Sequence, residues 1–201
     1  MEQGTDEWLQ ARCGLVTASR VADVVAQTKS GYGASRATYM GQLIAEQLSG
    51  NVAPSFSNAA MQWGTDTEPQ ARIAYEFDQG VDVVQVGFVH HAAILGSGAS
   101  PDGLVGERGM VEIKAPNSAT HIDTLLNQKV PNKYRVQMMW QLACTGREFC
   151  DFVSYDPRLP AHLEMFCTRV ERDDEYIREL ETEVQTFIDE MASKIEELEK
   201  L

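Results

Sequence analysis

The sequence predicts an α/β fold in which a mixed β-sheet is flanked by α-helices. Apolar residues recur at helical spacing in the first third of the chain, and short β-branched runs replace them in the middle. Residues 171–201 then carry one long amphipathic stripe. Helices before and after a contiguous group of strands are typical of an α/β sandwich. A chain of 201 residues has the size of one domain, so we expect a single domain over 1–201.

Three helices are expected before the sheet. A helix over 17–25 begins with Thr and Ser, which are N-cap residues, and continues through valines at positions 21, 24 and 25. A loop at 29–33 precedes a second helix, which opens at Ser35 and ends at Gly50. A third helical region runs from Ala59 to Phe77 and ends at Gly80, with Gly64 and Pro69 predicting a break or bend inside it.

The middle of the chain is expected to form the sheet. Alternating and β-branched residues predict strands, and the glycines at 106–109 predict a hairpin between two of them. The strands are expected at 81–89, 102–105, 110–114, 149–155 and 163–170. A helix opened by Pro131 and ended by Gly146 interrupts them, and the amphipathic helix at 171–201 closes the chain.

Composition narrows the class of protein. Hydrophobic residues make up 43% of the chain and charged residues 23%, which excludes a disordered chain. The sequence holds no apolar run long enough for a membrane span, and its first residues lack the basic head and apolar stretch of a signal peptide. We therefore expect a cytoplasmic protein without a membrane partner. Its four cysteines form no CxxC pair, so we expect reduced, mostly buried thiols and no zinc site.

The net charge of −13 is unevenly distributed. Residues 171–201 hold 12 acids and 4 bases, whereas residues 108–147 hold six bases and two acids. An acidic protein with one basic stretch can hold a polyanion in a single groove and repel it elsewhere. Net charge therefore does not exclude a nucleic-acid substrate.

The most informative residues lie on the predicted hairpin. If its loop takes three residues, Asp102 and Glu112 face each other across the two strands. Glu112 and Lys114 are two residues apart, so they share one face of their strand. Two carboxylates, with the Ile113 carbonyl as a third oxygen, suit Mg²⁺, and a neighbouring lysine can activate water and stabilise charge on phosphate. The alternative is an ordinary Pro-Asp-Gly turn beside a solvated strand face.

These residues also carry a resemblance to a known family. Pro101-Asp102 followed by Glu112-Ile-Lys114 matches the PD-(D/E)XK nuclease signature. Further blocks in the same order resemble the lambda exonuclease, or YqaJ-like viral recombinase, family over residues 8–157. They are Arg12-Cys-Gly-Leu-Val-Thr17-Ala-Ser19, Trp63-Gly64 with Glu68, Tyr134 with Gln137, and Tyr155-Asp156-Pro157. The resemblance implies a restriction-endonuclease-like fold.

The resemblance also implies roles for individual residues. Asp102, Glu112 and the Ile113 carbonyl are the implied metal ligands, Lys114 activates the water, and Glu68 and Gln137 assist at the same site. Arg12 and Ser19 match a pocket for a 5′-phosphate, which suits the bidentate grip of a guanidinium. Lys29 matches a basic residue that reaches toward the duplex, and Met61 matches an apolar wedge that splits the terminal base pair.

From the resemblance we expect a 5′-to-3′ exonuclease that acts on linear double-stranded DNA with a 5′-phosphate. Its metal would be Mg²⁺, with Mn²⁺ as the alternative. The enzyme would release mononucleotides, leave a 3′ single strand for a single-strand annealing protein, and form a homotrimeric ring in the cytoplasm of a bacterial host. A structure-specific endonuclease of the same fold, and a non-catalytic DNA-end-binding recombination module, are the alternatives.

Some positions depart from the family or keep a structural interpretation. Position 139 is Met where the family often repeats a glutamine, and Gln141 is a possible substitute. Arg12 alternatively pairs with a nearby acid on the surface, and Met61 alternatively belongs to the core. His90 and His91 receive no role, whereas His121 and His162 are expected at the surface. Trp8, Trp63 and Trp140 are expected to pack rather than to stack on bases.

Overall fold

The computed structural model describes residues 1–29, 31–53 and 58–201. The helices are α1 (Asp6–Ala11), α2 (Val21–Val24), α3 (Ala34–Ser49), α4 (Ala59–Gln79), α5 (Ser118–Asn127), α6 (Asn132–Thr145) and α7 (Asp174–Leu198). The strands are β1 (Val16–Thr17), β2 (Gln27–Thr28), β3 (Gly31–Tyr32), β4 (Val83–Val84), β5 (Val89–His90), β6 (Ser97–Ala99), β7 (Gly103–Val105), β8 (Gly109–Lys114), β9 (Phe149–Tyr155) and β10 (Met165–Glu171). Short 3₁₀ turns lie at Ala18–Arg20 and Ala161–Leu163.

The main sheet has five strands in the order β10-β9-β8-β7-β4. Strand β8 lies at its centre, parallel to β9 and antiparallel to β7, which confirms the expected mixed sheet. The β7–β8 hairpin pairs Val105 with Gly109, so its loop has the three residues that the sequence suggested. Both neighbours of β8 satisfy its backbone groups, and this central position fixes the direction in which its side chains point.

Two smaller sheets lie beside the main one. Strands β1 and β6 pair in parallel, and β5 pairs with β6 in antiparallel fashion. Strands β2 and β3 form a separate short hairpin, where the sequence predicted only a loop. The pairing of β1 with β6 matters for function because it brings residues 16–17 next to the segment that precedes Asp102.

Helices cover both faces of the main sheet. On one face α6 packs against the sheet, and α2, α3 and α7 belong to the same core, whose largest fully buried side chain is Trp140 on α6. The other face is covered by α4, through Ala71 and Tyr75. The predicted stripe on the last helix is confirmed, since its inward residues are buried at the expected spacing. These residues are Ile177, Leu180, Val184, Phe187 and Met191.

The predicted strand at 81–89 is wrong. The structure instead has the two-residue strands β4 and β5, which belong to different sheets. The N-terminal segment occupies the space between them. The Gln3 side chain donates to the Val86 carbonyl at 2.8 Å, and a Cβ on Gly87 would lie 2.7 Å from the Met1 carbonyl oxygen. Contacts with residues distant in sequence therefore override the local β pattern.

The helices also differ in detail from the prediction. Helix α4 is continuous through Gly64 and Pro69, so of the break or bend expected there the break is absent. The helix predicted over 17–25 is a 3₁₀ turn followed by the short α2. Helices α1 and α5 were not predicted. Each is capped by a side chain that accepts from the first turn, Thr5 for α1 and Asn117 for α5, and these caps are the signals that could have revealed them.

Two further expectations concern cysteines and membranes. Cys13, Cys144, Cys150 and Cys167 are free thiols; Cys144 and Cys150 are buried, whereas Cys13 and Cys167 are half-buried. Across the described ranges, none of the helices has both the length and the apolar character that a bilayer crossing requires.

Candidate active site

The β7–β8 hairpin brings the predicted catalytic residues together. Asp102 immediately precedes β7, and its Oδ2 accepts a hydrogen bond from the Ile113 backbone N–H at 2.7 Å. Glu112 is fully buried, and Lys114, two residues along the same strand, forms an ion pair with it. The alternative of an ordinary solvated strand face is therefore wrong for Glu112, because its side chain has no exposed area.

Helix α6 supplies the other contacts of Glu112. Gln137 and Gln141 are four residues apart, so their side chains lie on one face of the helix. The Gln137 amide donates to Oε1 of Glu112 at 2.6 Å, and the Gln141 amide donates to Oε2 at 2.6 Å. The prediction placed Gln137 at the site, and the structure adds Gln141.

The electrostatics of the cluster follow from burial and from two like charges. Burial raises the pKa of Asp102 well above its usual range, and repulsion from Glu112 raises it further. Burial by itself would lower the pKa of Lys114, but attraction by Glu112 and Asp102 outweighs burial and raises that pKa. Lys114 is therefore a stable ammonium beside two competing carboxylates.

The donor set fits a hard divalent cation. Two neighbouring carboxylates repel each other, as the raised pKa of Asp102 shows, and a cation between them would relieve that repulsion. Within the described residues, no group of three or more His, Cys, Asp and Glu side chains is placed to hold a metal ion. A site of two carboxylates and a backbone carbonyl suits Mg²⁺, which retains several waters in proteins.

Glu68 approaches the same cluster from the other face of the sheet. It lies on α4, and its negative charge contributes to the raised pKa of Asp102. Arg72, one turn later on the helix, donates to Glu68 Oε1 at 2.7 Å. The structure thus places Glu68 near Asp102, with its carboxylate oriented by a neighbouring guanidinium.

Arg12 and Ser19 line a cavity next to the carboxylate cluster. The cavity measures about 140 Å³, and its lining also includes Thr17, Ser100 and Gln137. Because Gln137 donates to Glu112, the cavity borders the carboxylate cluster. Burial lowers the pKa of the Arg12 guanidinium. Among the described residues, Arg12 forms no ion pair with Asp6 or Glu7. Its guanidinium lies instead over the Trp8 ring, 4.1 Å from the ring centroid.

Three residues of this region, Gln3, Trp8 and Ser100, were not predicted as functional. Trp8 donates from Nε1 to the Ser100 hydroxyl at 2.9 Å while its ring supports Arg12. Gln3 donates to the Pro101 carbonyl at 2.8 Å. The N-terminal segment therefore holds both Arg12 and the backbone that leads into Asp102. Ser100 could have been noticed because it directly precedes Pro101-Asp102 in the sequence. A lone Trp or Gln gives no comparable sequence signal, so Trp8 and Gln3 could not.

The remaining substrate-binding candidates have different positions. Met61, in the first turn of α4, is 53% exposed, so the alternative of a core residue is wrong. It lines a larger cavity of about 750 Å³ together with Trp8, Arg12 and Ser19. Lys29 is exposed in the β2–β3 turn, and the lining of neither cavity includes it. The loop segment that contains Lys29 is described except for residue 30.

Two histidines are structural. His121 was expected at the surface, but it is fully buried, accepting from Ser154 at 2.7 Å and donating to the Leu163 carbonyl at 2.8 Å. His121 is buried because it lies on α5, a helix that the sequence pattern did not reveal, and faces Ser154 on β9. His91 is also buried; its ring stacks on Trp140, with 5.0 Å between centroids. His162 is exposed, as expected.

Comparison with known proteins places the chain in a family. The sequence model of the YqaJ-like viral recombinase domain matches residues 7–148. The chain belongs to this family. No curated protein matches it significantly. The recombinase blocks at Arg12, Trp63 and Gln137 lie within the matched range.

Solved structures agree with this assignment. LHK-Exo, an alkaline exonuclease from Laribacter hongkongensis, is 52% identical and superposes with a TM-score of 0.91 over 98% of this chain and 97% of its own. A second structure of LHK-Exo, in complex with dAMP, is 53% identical with a TM-score of 0.92 over the same shares. A phage-related exonuclease from Haemophilus somnus 129PT, 16% identical, has a TM-score of 0.70 over 90% of this chain and 96% of its own, and shows the fold alone.

The departure at position 139 has a structural explanation. Met139 is fully buried among the apolar residues between α6 and the sheet, where an amide would be costly. Gln141, one helical turn after Gln137, reaches Glu112 instead. In this chain the second amide that contacts Glu112 therefore comes from Gln141 and not from position 139.

Proposed function

We propose that the protein is a Mg²⁺-dependent exonuclease that degrades the 5′ strand of linear double-stranded DNA to mononucleotides. One observation carries the proposal: the cavity lined by Arg12 and Ser19 also contains Gln137, whose amide binds the buried Glu112. A phosphate-binding pocket that borders a pair of carboxylates suits hydrolysis at a DNA end. LHK-Exo, a relative with 53% identity, is an exonuclease crystallised with a mononucleotide, dAMP, which supports the same chemistry.

Asp102, Glu112 and the Ile113 carbonyl would hold the metal, with Mn²⁺ as an alternative to Mg²⁺. When bound, such a metal polarises the scissile phosphate and supplies a water as the nucleophile. The Lys114 ammonium orients that water and stabilises negative charge on the phosphate. Gln137 holds the Glu112 carboxylate, and Glu68 contributes a further negative charge beside Asp102.

The substrate would enter through the larger cavity. Arg12 donates two hydrogen bonds to a terminal 5′-phosphate, and the Ser19 hydroxyl adds a third contact. Met61, exposed on the rim of that cavity, is placed to pack against the last base pair. Lys29 extends from an exposed turn, where it would contact the duplex backbone.

We further propose that the chain acts as one nuclease domain within a homotrimeric ring in the cytoplasm of a bacterial host. A closed ring keeps its substrate strand enclosed between successive cuts. The remaining 3′ single strand would pass to a single-strand annealing protein, which completes recombination. The local positive charge at 108–147 supports contact with DNA in a chain whose net charge is −13.

Linear duplex DNA labelled at either the 5′ or the 3′ end tests the proposal. In Mg²⁺ we expect rapid release of the 5′ label as mononucleotide, with a long 3′-labelled strand left behind and no reaction in EDTA. A covalently closed circle, which has no end, serves as the control substrate and should stay intact. Cutting of the circle, or release of internal fragments, would show an endonuclease. DNA binding without hydrolysis would show an end-binding module.

A further inference from the structure

Three donors crowd the carboxylate of Glu112. Oε1 accepts from both Gln137 and Lys114, and Oε2 accepts from Gln141. An ionised carboxylate offers about four hydrogen-bonding positions, two on each oxygen. The side chains around Glu112 therefore fill both positions on Oε1 and one on Oε2.

The Gln141 amide donates to Glu112 through its nitrogen, but its carbonyl oxygen is left without a donor in the described part of the chain. Its side chain is fully buried, and within the described residues its carbonyl Oε1 has no hydrogen-bond donor. The reverse orientation of the amide would point Oε1 at Glu112, so the contact with the carboxylate sets the orientation. A buried, unsatisfied carbonyl destabilises a fold, and an apolar residue of similar volume would remove it. Gln141 is thus better explained by what it does to Glu112 than by stability.

We propose that Gln141 is a positioning residue that sets the metal selectivity of the site. With three positions filled, Glu112 can offer a cation one position, on Oε2. Mg²⁺ and Mn²⁺ accept a single carboxylate oxygen and complete their octahedron with water, whereas Ca²⁺ takes more ligands and commonly binds a carboxylate through both oxygens. The arrangement therefore favours Mg²⁺ and Mn²⁺ over Ca²⁺. This inference rests on the metal site of the proposed function.

Metal binding to the DNA-free protein tests the role of Gln141. Free Mn²⁺ is measured by electron paramagnetic resonance during titration, and Ca²⁺ is then added to displace it. In Gln141→Met, which keeps the volume and removes the amide, Oε2 of Glu112 loses its donor. The carboxylate can then turn about its contacts at Oε1, so that a cation approaches both oxygens. We expect the preference for Mn²⁺ over Ca²⁺ to fall by about tenfold, a size typical of changes in groups that orient a metal ligand.

Gln42→Met is the matched control. Gln42 donates to Glu46 Oε1 at 3.0 Å, so this variant also removes an amide from a buried carboxylate, on α3. It should leave the Mn²⁺ to Ca²⁺ preference at the wild-type value. If the preference of Gln141→Met for Mn²⁺ over Ca²⁺ stays within about twofold of the wild-type value, the proposal is overturned. Gln141 would then have only a packing role.

Two outcomes separate this inference from the proposed function. Wild-type protein that binds neither cation would contradict the metal site itself, and both proposals with it. Wild-type protein that binds Mn²⁺ normally, with unchanged preference in the variant, would contradict only the role of Gln141. If Gln141→Met does not fold, Gln141→Asn replaces it, because that amide is one methylene too short to reach Glu112, and the same criterion applies.

Discussion

Glu112 shows how a single buried charge depends on its neighbours. A carboxylate without exposed area is strongly unfavourable unless donors replace the water that it loses. Two glutamine amides from α6 and the ammonium of Lys114 replace that water. Because these donors stay in place, the carboxylate is already oriented before any metal or substrate arrives.

Replacing Lys114 tests the chemistry at the scale of one residue. In Lys114→Ala we expect the rate of nucleotide release to fall by at least about 10²-fold, since removing one donor that stabilises developing negative charge typically costs about 10²–10³-fold. Binding of duplex DNA, measured by fluorescence anisotropy in EDTA, should be retained. Cleavage near the wild-type rate would remove Lys114 from the mechanism.

Arg12 is predicted to recognise the 5′-phosphate. Wild-type protein should degrade 5′-phosphorylated duplex faster than 5′-hydroxyl duplex. Arg12→Ala should lose this preference, because the hydrogen bonds of a guanidinium to phosphate are worth about 1.5–3 kcal/mol, or at least about tenfold in rate. Arg178→Ala, on an exposed face of α7, is the control and should keep the preference. Equal rates on both substrates in wild type would contradict the pocket.

At the scale of elements, α4 combines stability and function. Its inner residues cover one face of the sheet, while Met61 and Glu68 lie toward the cavity and the carboxylates. Gly64 lies between them in the helix interior, where glycine is unfavourable and where an added Cβ would meet no atom of the described residues within 4 Å. Packing within the chain therefore does not explain this glycine.

Gly64→Ala is expected to stabilise the protein and impair its activity. Loss of backbone freedom in the unfolded chain should add about 1 kcal/mol to the free energy of unfolding, measured with urea. A methyl group facing the DNA side of α4 should raise the KM for duplex ends. Gly41→Ala on the exposed face of α3 is the control, since its Cβ also meets no atom within 4 Å in the described part of the chain. It should stabilise the protein to the same extent without changing KM.

The connection after β9 is held by Asp156. Burial would raise the pKa of Asp156, but hydrogen bonds from Arg158 and Ser118 outweigh burial and lower it from 3.8 to about 2. Arg158 in turn lies over the Trp63 ring, 4.2 Å from its centroid, which ties this connection to α4. A carboxylate with a depressed pKa stabilises the fold above its unfolded pKa and loses that effect as the pH falls through its folded pKa.

Asp156→Asn should therefore destabilise the protein in a pH-dependent way. At pH 7 we expect a loss of about 2 kcal/mol in the free energy of unfolding, from the difference between the two pKa values. The difference between variant and wild type should shrink as the pH falls from about 4 to about 2. Urea unfolding at pH 7 and pH 3 measures it, with Asp82→Asn as an exposed control. Equal losses at both pH values would contradict the linkage.

At the scale of the whole molecule, charge is separated along the chain. Residues 171–201 carry a net charge of −8 from 12 acids and 4 bases, whereas residues 108–147, which include Lys114 of the site, hold six bases and two acids. An acidic segment repels DNA, so under the proposed function the basic stretch and Arg12 would make the contacts with DNA.

The proposed ring predicts a definite mass in solution. Light scattering coupled to size exclusion should give about three times the 22.3 kDa of one chain. Dilution should lower processivity on long duplex DNA as the ring dissociates, while single cuts at phosphorylated ends continue. A monomer mass at the concentration where the enzyme is processive would contradict the ring.

Much of the site could be predicted because its residues are close in sequence. Asp102, Glu112 and Lys114 lie on one hairpin, whose short loop and alternating pattern determine their register. Gln141 could not be assigned, because the sequence does not show which face of a buried helix points toward a given carboxylate. Trp8 and Gln3 act on the segment around Ser100 and Pro101, nearly a hundred residues away in the chain.

The amino-acid sequence by itself determined the α/β class, the central hairpin and the carboxylate–lysine cluster, because periodicity and turn residues act over a few positions. Only the tertiary structure decided that 81–89 is two short strands, that His121 is buried, and that Arg12 lies on Trp8 beside the cluster. These outcomes depend on which distant segments compete for the same hydrogen bonds and the same buried volume, and that competition is resolved only when the chain packs.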